Sequence, residues 1–152
     1  MIESKMEEVI KILKKRNWTI GVMESCTGGA VANCITNIPG ASDVFECGLV
    51  TYCNEAKIKA GVRGDLIEKY GVASKEVAEE MARKVNANVG VGVTGNLPGE
   101  VFVALRIEQK VESIKFNVES KSTSSRLRRV EARIEMKKQV VGRVVEMIID
   151  GI

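Results

Sequence analysis

Three short segments gather the residue types that can do chemistry. Glu24-Ser25-Cys26-Thr27-Gly28-Gly29 holds a carboxylate, two hydroxyls, a thiol and two glycines. Tyr52-Cys53-Asn54-Glu55-Ala56-Lys57 offers a phenol and an amine, and Thr94-Gly95-Asn96-Leu97-Pro98-Gly99 offers a hydroxyl beside a glycine-bounded turn. The chain has no histidine, which excludes a Ser-His-Asp triad, a Cys-His dyad and any His-ligated metal site. A hydrolytic base must then be Lys, Asp, Glu or Tyr. A lysine partly desolvated beside Ser25 would lose affinity for its proton and could accept the serine's.

Each segment also has a plainer reading. Ser25 or Thr27 can cap the following helix, worth about 1 kcal/mol. Alternatively the glycines and the helix N-terminus can cradle an anion. The pattern is neither G-x-G-x-x-G nor a Walker A loop. Lys57 can be a solvated surface charge. Tyr52 and Lys57 stand five apart, which fails the Tyr-x-x-x-Lys spacing of a dehydrogenase. The run from Asn96 to Gly99 has good turn chemistry in its own right. Cys26, Cys34, Cys47 and Cys53 form no C-x-x-C pair, so reduced thiols are expected.

These segments need elements to hold them. Met6, Val9, Ile10 and Leu13 recur at helical spacing, so an amphipathic helix opens the chain. A strand is expected over 19–24, a helix to about residue 36, and a second strand over 44–52. Residues 54–57 read as its polar exit. A loop and short helix follow over 61–71, then a helix capped by Ser74 with a Val77, Ala78, Met81, Ala82, Val85 stripe. The apolar run 89–93 reads as a buried strand, and 101–107 with 111–118 as a hairpin. After the Ser-rich stretch 121–125, a long helix runs to about residue 149 with Val130, Ile134, Val141, Val144, Val145 and Ile148 buried. This order predicts a three-layer α/β/α domain with a mixed, mostly parallel sheet including a hairpin, as one unit over 1–152. Ligands in such sheets collect beyond the carboxyl ends of strands, where all three segments fall.

The chain has 152 residues, 45% hydrophobic and 28% charged, with net charge +3. That charge suits a small anionic ligand and does not call for nucleic acid. Arg126, Arg128, Arg129, Arg133, Lys137 and Lys138 are interrupted by Glu131 and Glu135, the pattern of an exposed mixed-charge helix face. No apolar run approaches a membrane span, and the first residues resemble neither a signal nor a transit peptide. The expected location is cytoplasmic.

Taken together, "ESCTGG" at 24–29, "NIPGASDVFECGLVTYCNEAK" at 37–57, "YGVASKEVAEEMA" at 70–82 and "VGVGVTG" at 89–95 resemble the CinA C-terminal domain family. Members of that family include nicotinamide mononucleotide deamidases, which hydrolyse the carboxamide to nicotinate mononucleotide and ammonia. The resemblance implies no cofactor and no metal, a small anionic mononucleotide as substrate, and self-association into a homo-oligomer. It casts Ser25 as nucleophile, Lys57 as base or charge partner and Tyr52 as assistant. Thr27, Gly28 and Gly29 would line the pocket, and Thr94 and Gly95 would bind from the third segment. Glu24, Asn54 and Arg129 complete the candidate substrate-binding set. The amino-terminal molybdopterin-binding-like domain of longer members is not matched, so a stand-alone form is expected.

The chain departs from the family at two places. A longer glycine- and proline-rich loop usually follows the Thr-Gly strand end, but here Gly95 reaches Val101 in a few residues. A Gly-Asp-Arg usually precedes the last helix, where this chain has Ser124-Ser125-Arg126-Leu127-Arg128-Arg129. The alternative expectation is therefore a weakened or non-catalytic ligand-binding or scaffold protein of the same fold.

Overall fold

The computed structural model describes residues 1–120 and 125–152. Most of the Ser-rich stretch 121–125 lies outside the described residues. Helix α1 (Ile2–Arg16) buries the stripe Met6, Val9, Ile10 and Leu13 and ends at Asn17, whose left-handed backbone sends its amide to the carbonyls of Leu13 and Lys14. Then follow β1 (Ile20–Glu24), α2 (Ala30–Thr36), a 3-10 turn (Ala41–Asp43), β2 (Phe45–Val50), α3 (Asn54–Lys59), α4 (Gly64–Tyr70), α5 (Lys75–Lys84), β3 (Val89–Gly95), β4 (Gly99–Ile107), β5 (Lys110–Val118) and α6 (Arg126–Gly151). Ser74 caps α5, its hydroxyl accepting from the Val77 amide at 3.3 Å.

The strands form one sheet in the order β2-β1-β3-β4-β5. β1 runs parallel to both neighbours, while β3–β4 and β4–β5 are antiparallel. Four strands therefore point one way and β4 alone the other. Helices α1, α2 and α6 cover one face, and α5 backed by α4 covers the other, which completes the three layers.

Alternation along the central strands sets what each face receives. Ile20 and Val22 of β1 and Val89, Val91 and Val93 of β3 join the core under α1, α2 and α6. Met23 points to α5, packing with Val77 and Met81. Gly90 and Gly92 face α5 so closely that a Cβ at either would strike the Ala82 or Ala78 carbonyl. Arg106 fastens the far end of this layer, donating to the carbonyls of Ala82, Val85 and Ala87 at 3.0, 2.6 and 2.8 Å.

Two expectations are corrected, and the turn expected after Gly95 is present. Residues 54–57 are the first turns of α3 rather than a polar strand exit. The segment after Gly95 closes a β3–β4 hairpin, with the Asn96 amide bonded to the Glu100 carbonyl at 2.9 Å. Val130 and Ile134 are 51% and 50% exposed, because the first turns of α6 run past the packed core and burial begins at Met136.

Candidate active site

Ser25 sits immediately beyond β1, held in line by the last rung of the sheet: its amide donates to the Val93 carbonyl at 3.0 Å. On the other side, the Thr51 amide donates to the Glu24 carbonyl at 2.9 Å. The chain leaves β1 through α2 on one face and later reaches β3 through α5 on the other. The end of β1 is thus the point where connections diverge, the place where open α/β sheets form a crevice.

The turn after Ser25 is built by Glu24 and two glycines. Gly28 and Gly29 have φ of 60° and 102°, values that L side chains rarely adopt. Glu24 shares its facing with Ile20 and Val22, so its buried carboxylate points under α2. It accepts the Thr27 hydroxyl at 2.6 Å and the amides of Val31 and Ala32 at 3.1 and 2.9 Å. Neither Ser25 nor Thr27 caps α2, contrary to the plainer reading; Glu24 fills that place from the strand below. The Thr27 hydroxyl is committed to Glu24.

With the helix end taken, the Ser25 hydroxyl meets a different partner. Lys57 Nζ lies 3.0 Å from Ser25 Oγ and donates to the Thr51 carbonyl at 2.8 Å. Lys57 is 1% exposed and Ser25 is 6% exposed. Lysine is almost never buried to this degree without a partner. Burial pushes the Lys57 ammonium below its ordinary proton affinity, with the nearby thiols of Cys53 and Cys26 working the other way. The neighbouring Cys26 thiol is pushed up to about 11, chiefly by burial, so it stays protonated and weakly nucleophilic at neutral pH.

The remaining candidates differ in exposure and in partners. Tyr52 is 62% exposed, and its hydroxyl has no hydrogen-bond partner among the described residues. Asn54 opens α3 and is exposed. The buried Thr94 hydroxyl donates to the Val72 carbonyl at 2.9 Å, and Gly95 pairs with Val101 in the hairpin. Arg129 is exposed near the start of α6.

Two cations that the sequence reading assigned to a solvated helix face stand closer. Arg133 donates to the Leu97 carbonyl at 2.6 Å, pinning the short β3–β4 turn to α6. Lys137 Nζ lies 3.3 Å from where a Cβ on Gly28 would be. Their four-residue spacing on one helix was the signal that could have grouped them.

A three-layer α/β domain with a buried Ser/Lys pair at a strand switch point defines the class. The family model for the CinA C-terminal domain matches residues 2–141, and the chain belongs to that family. A protein named as competence-damage inducible from Thermoanaerobacter pseudethanolicus is 45% identical over 125 residues, covering 72% of this chain and 30% of the relative. A CinA-like protein from Chloroherpeton thalassium is 47% identical over 94 residues, covering 59% and 22%. The chain thus spans less than a third of the length of these curated relatives. Among solved structures, the competence/damage inducible protein CihA from Agrobacterium tumefaciens superposes with TM-score 0.86 at 28% identity, covering 98% of this chain and 94% of that one. A CinA superfamily protein from Klebsiella pneumoniae shares the fold with TM-score 0.85 at 19% identity, covering 99% and 96%.

Proposed function

We propose that the chain is an amidohydrolase that cleaves the carboxamide of nicotinamide mononucleotide, with Ser25 as nucleophile and Lys57 as its base. The observation that carries this reading is the buried 3.0 Å contact between Lys57 Nζ and Ser25 Oγ. Neutral Lys57 takes the Ser25 proton as Oγ adds to the amide carbon, and the carbonyl oxygen becomes an oxyanion. Amide groups of the following turn would donate to that charge. The C–N bond then breaks as Lys57 returns the proton to the departing ammonia, leaving an ester on Ser25. Water, deprotonated by Lys57, attacks the ester; nicotinate mononucleotide leaves and Ser25 Oγ regains the proton. Tyr52, exposed just beyond β2, would assist this pair.

Two observations favour a second reading, a ligand-binding protein of the same fold without turnover. The β3–β4 connection is a tight turn held to α6 by Arg133, and the Thr94 hydroxyl is already spent on Val72. The two readings separate in one assay. Purified chain incubated with nicotinamide mononucleotide should release ammonia and nicotinate mononucleotide in equal amounts; binding with no product would favour the second reading.

Self-association and a cytoplasmic location belong to the same proposal. Leu49, Val50, Tyr52 and Ile58 are exposed along the end of β2 and into α3. Leu127, Val130 and Ile134 are exposed along α6, and Ile134 helps line a cleft of about 410 Å³ with Ala30 and Lys137. A second copy covering either group would bury apolar surface and narrow access to the site. Among the described residues, no helix is long and apolar enough to cross a membrane.

A further inference from the structure

Glu24 has already taken the amides of Val31 and Ala32 and places a negative charge beneath the turn. A phosphate brought near this turn would gain from cations on another element, and α6 supplies them. The Lys137 ammonium rests against the exposed Gly28, 3.3 Å from the position a Cβ would take there. One helical turn earlier, Arg133 is anchored on the Leu97 carbonyl. Among the described residues, no carboxylate lies within ion-pair distance of Lys137. Lys137 also lines the cleft of about 410 Å³ beside α2.

The geometry points to Lys137, beside Arg133, as the residue that takes the phosphate of a mononucleotide whose carboxamide lies at Ser25. This deepens the deamidase reading and rests on it. A phosphate monoester carries about −1.5 to −2 charge at neutral pH, and a lysine answers it as a point charge without demanding a fixed fork geometry. Lys137 would then determine specificity: it selects phosphorylated over unphosphorylated nucleosides and leaves the chemical step to Ser25 and Lys57.

The test reads binding apart from turnover. Calorimetry on the Ser25→Ala chain compares nicotinamide mononucleotide with nicotinamide riboside, which lacks the phosphate. Adding Lys137→Ala should weaken the mononucleotide about tenfold or more, the scale of a lost hydrogen bond to a charged group, and leave the riboside unchanged. Lys137→Arg should restore most of the loss. Lys110→Ala, which removes the same net charge from the exposed start of β5 away from this cleft, should change neither affinity. Equal effects on both ligands, no effect on either, or no measurable mononucleotide binding would overturn the inference. Phosphate-selective binding through Lys137 in a chain that releases no ammonia would sink the deamidase reading alone. Ammonia release with affinity indifferent to Lys137 would sink this inference alone.

Discussion

Lys57 Nζ and Ser25 Oγ meet at 3.0 Å although the residues are 32 apart in sequence. Two elements make the meeting. β1 ends with Ser25 bonded to β3, and the first turns of α3 carry Lys57 back over the end of β2. The Thr51 carbonyl fixes the amine from behind at 2.8 Å. The arrangement gives a hydroxyl a buried amine as its neighbour, in a chain that has no imidazole to offer.

The amine must be neutral to act as a base, so activity should follow its titration. Burial lowers the Lys57 pKa from its ordinary 10.5, and kcat/KM should rise with pH through that lowered value. Lys57→Arg, which keeps its proton, should cost roughly 10³-fold. A profile flat from about pH 6 to about pH 10 would contradict the role.

The same burial has a consequence for stability. The folded chain holds the Lys57 proton less tightly than the unfolded chain, so unfolding takes up a proton at pH values between the two pKa values. Stability therefore gains with rising pH across the window that ends near 10.5. Below the lowered folded value, the cost of the buried charge is constant. Lys57→Met removes that dependence. The unfolding free energies of wild type and variant, measured by urea titration at several pH values, should converge as pH rises into this window. Parallel pH curves would show that Lys57 titrates alike in both states.

Glu24 should be a structural anchor for the Ser25 turn. Glu24→Ala leaves the Thr27 hydroxyl and two α2 amides without their acceptor, and should lower stability by about 2–3 kcal/mol. Glu24→Gln keeps an acceptor oxygen and should cost less than half as much. Denaturant midpoints decide this; a Glu24→Ala chain as stable as wild type would remove the anchor from the account.

The exposed edge of the sheet should mediate self-association. Among the described residues, β2 has only one neighbouring strand, and residues 46–50 are all exposed, unlike the usual doubly covered parallel strand. Light scattering should find more than one copy per particle at micromolar concentration. Val50→Lys with Leu49→Lys should shift it towards the monomer. A monomeric wild type would end this proposal.

Much of the architecture was legible because it follows from periodicity. The Met6, Val9, Ile10, Leu13 stripe, the Ser74 cap and the valine run of β3 each declare themselves locally. The segment at 54–57 did not, because its polar composition conceals a helix whose one buried side chain is a lysine. The N-terminal half of α6 misled for the opposite reason: its apolar residues continue the stripe beyond the body they would pack against. The Ser25 turn was visible as a motif, but Glu24 as its cap was not. A carboxylate reaching from a strand to the next helix depends on the angle between them, which spacing does not reveal. Arg133 and Lys137 were hidden in a mixed-charge run and gained their place only from the packing of α6.

The central claim is that Ser25, activated by Lys57, breaks an amide bond. Initial rates of ammonia release from nicotinamide mononucleotide test it most directly, measured for wild type, Ser25→Ala and Lys57→Ala at one pH. The account predicts steady release by wild type and losses of roughly 10³-fold or more in both variants, with folding retained. No release by wild type, or undiminished release by Ser25→Ala, would contradict it.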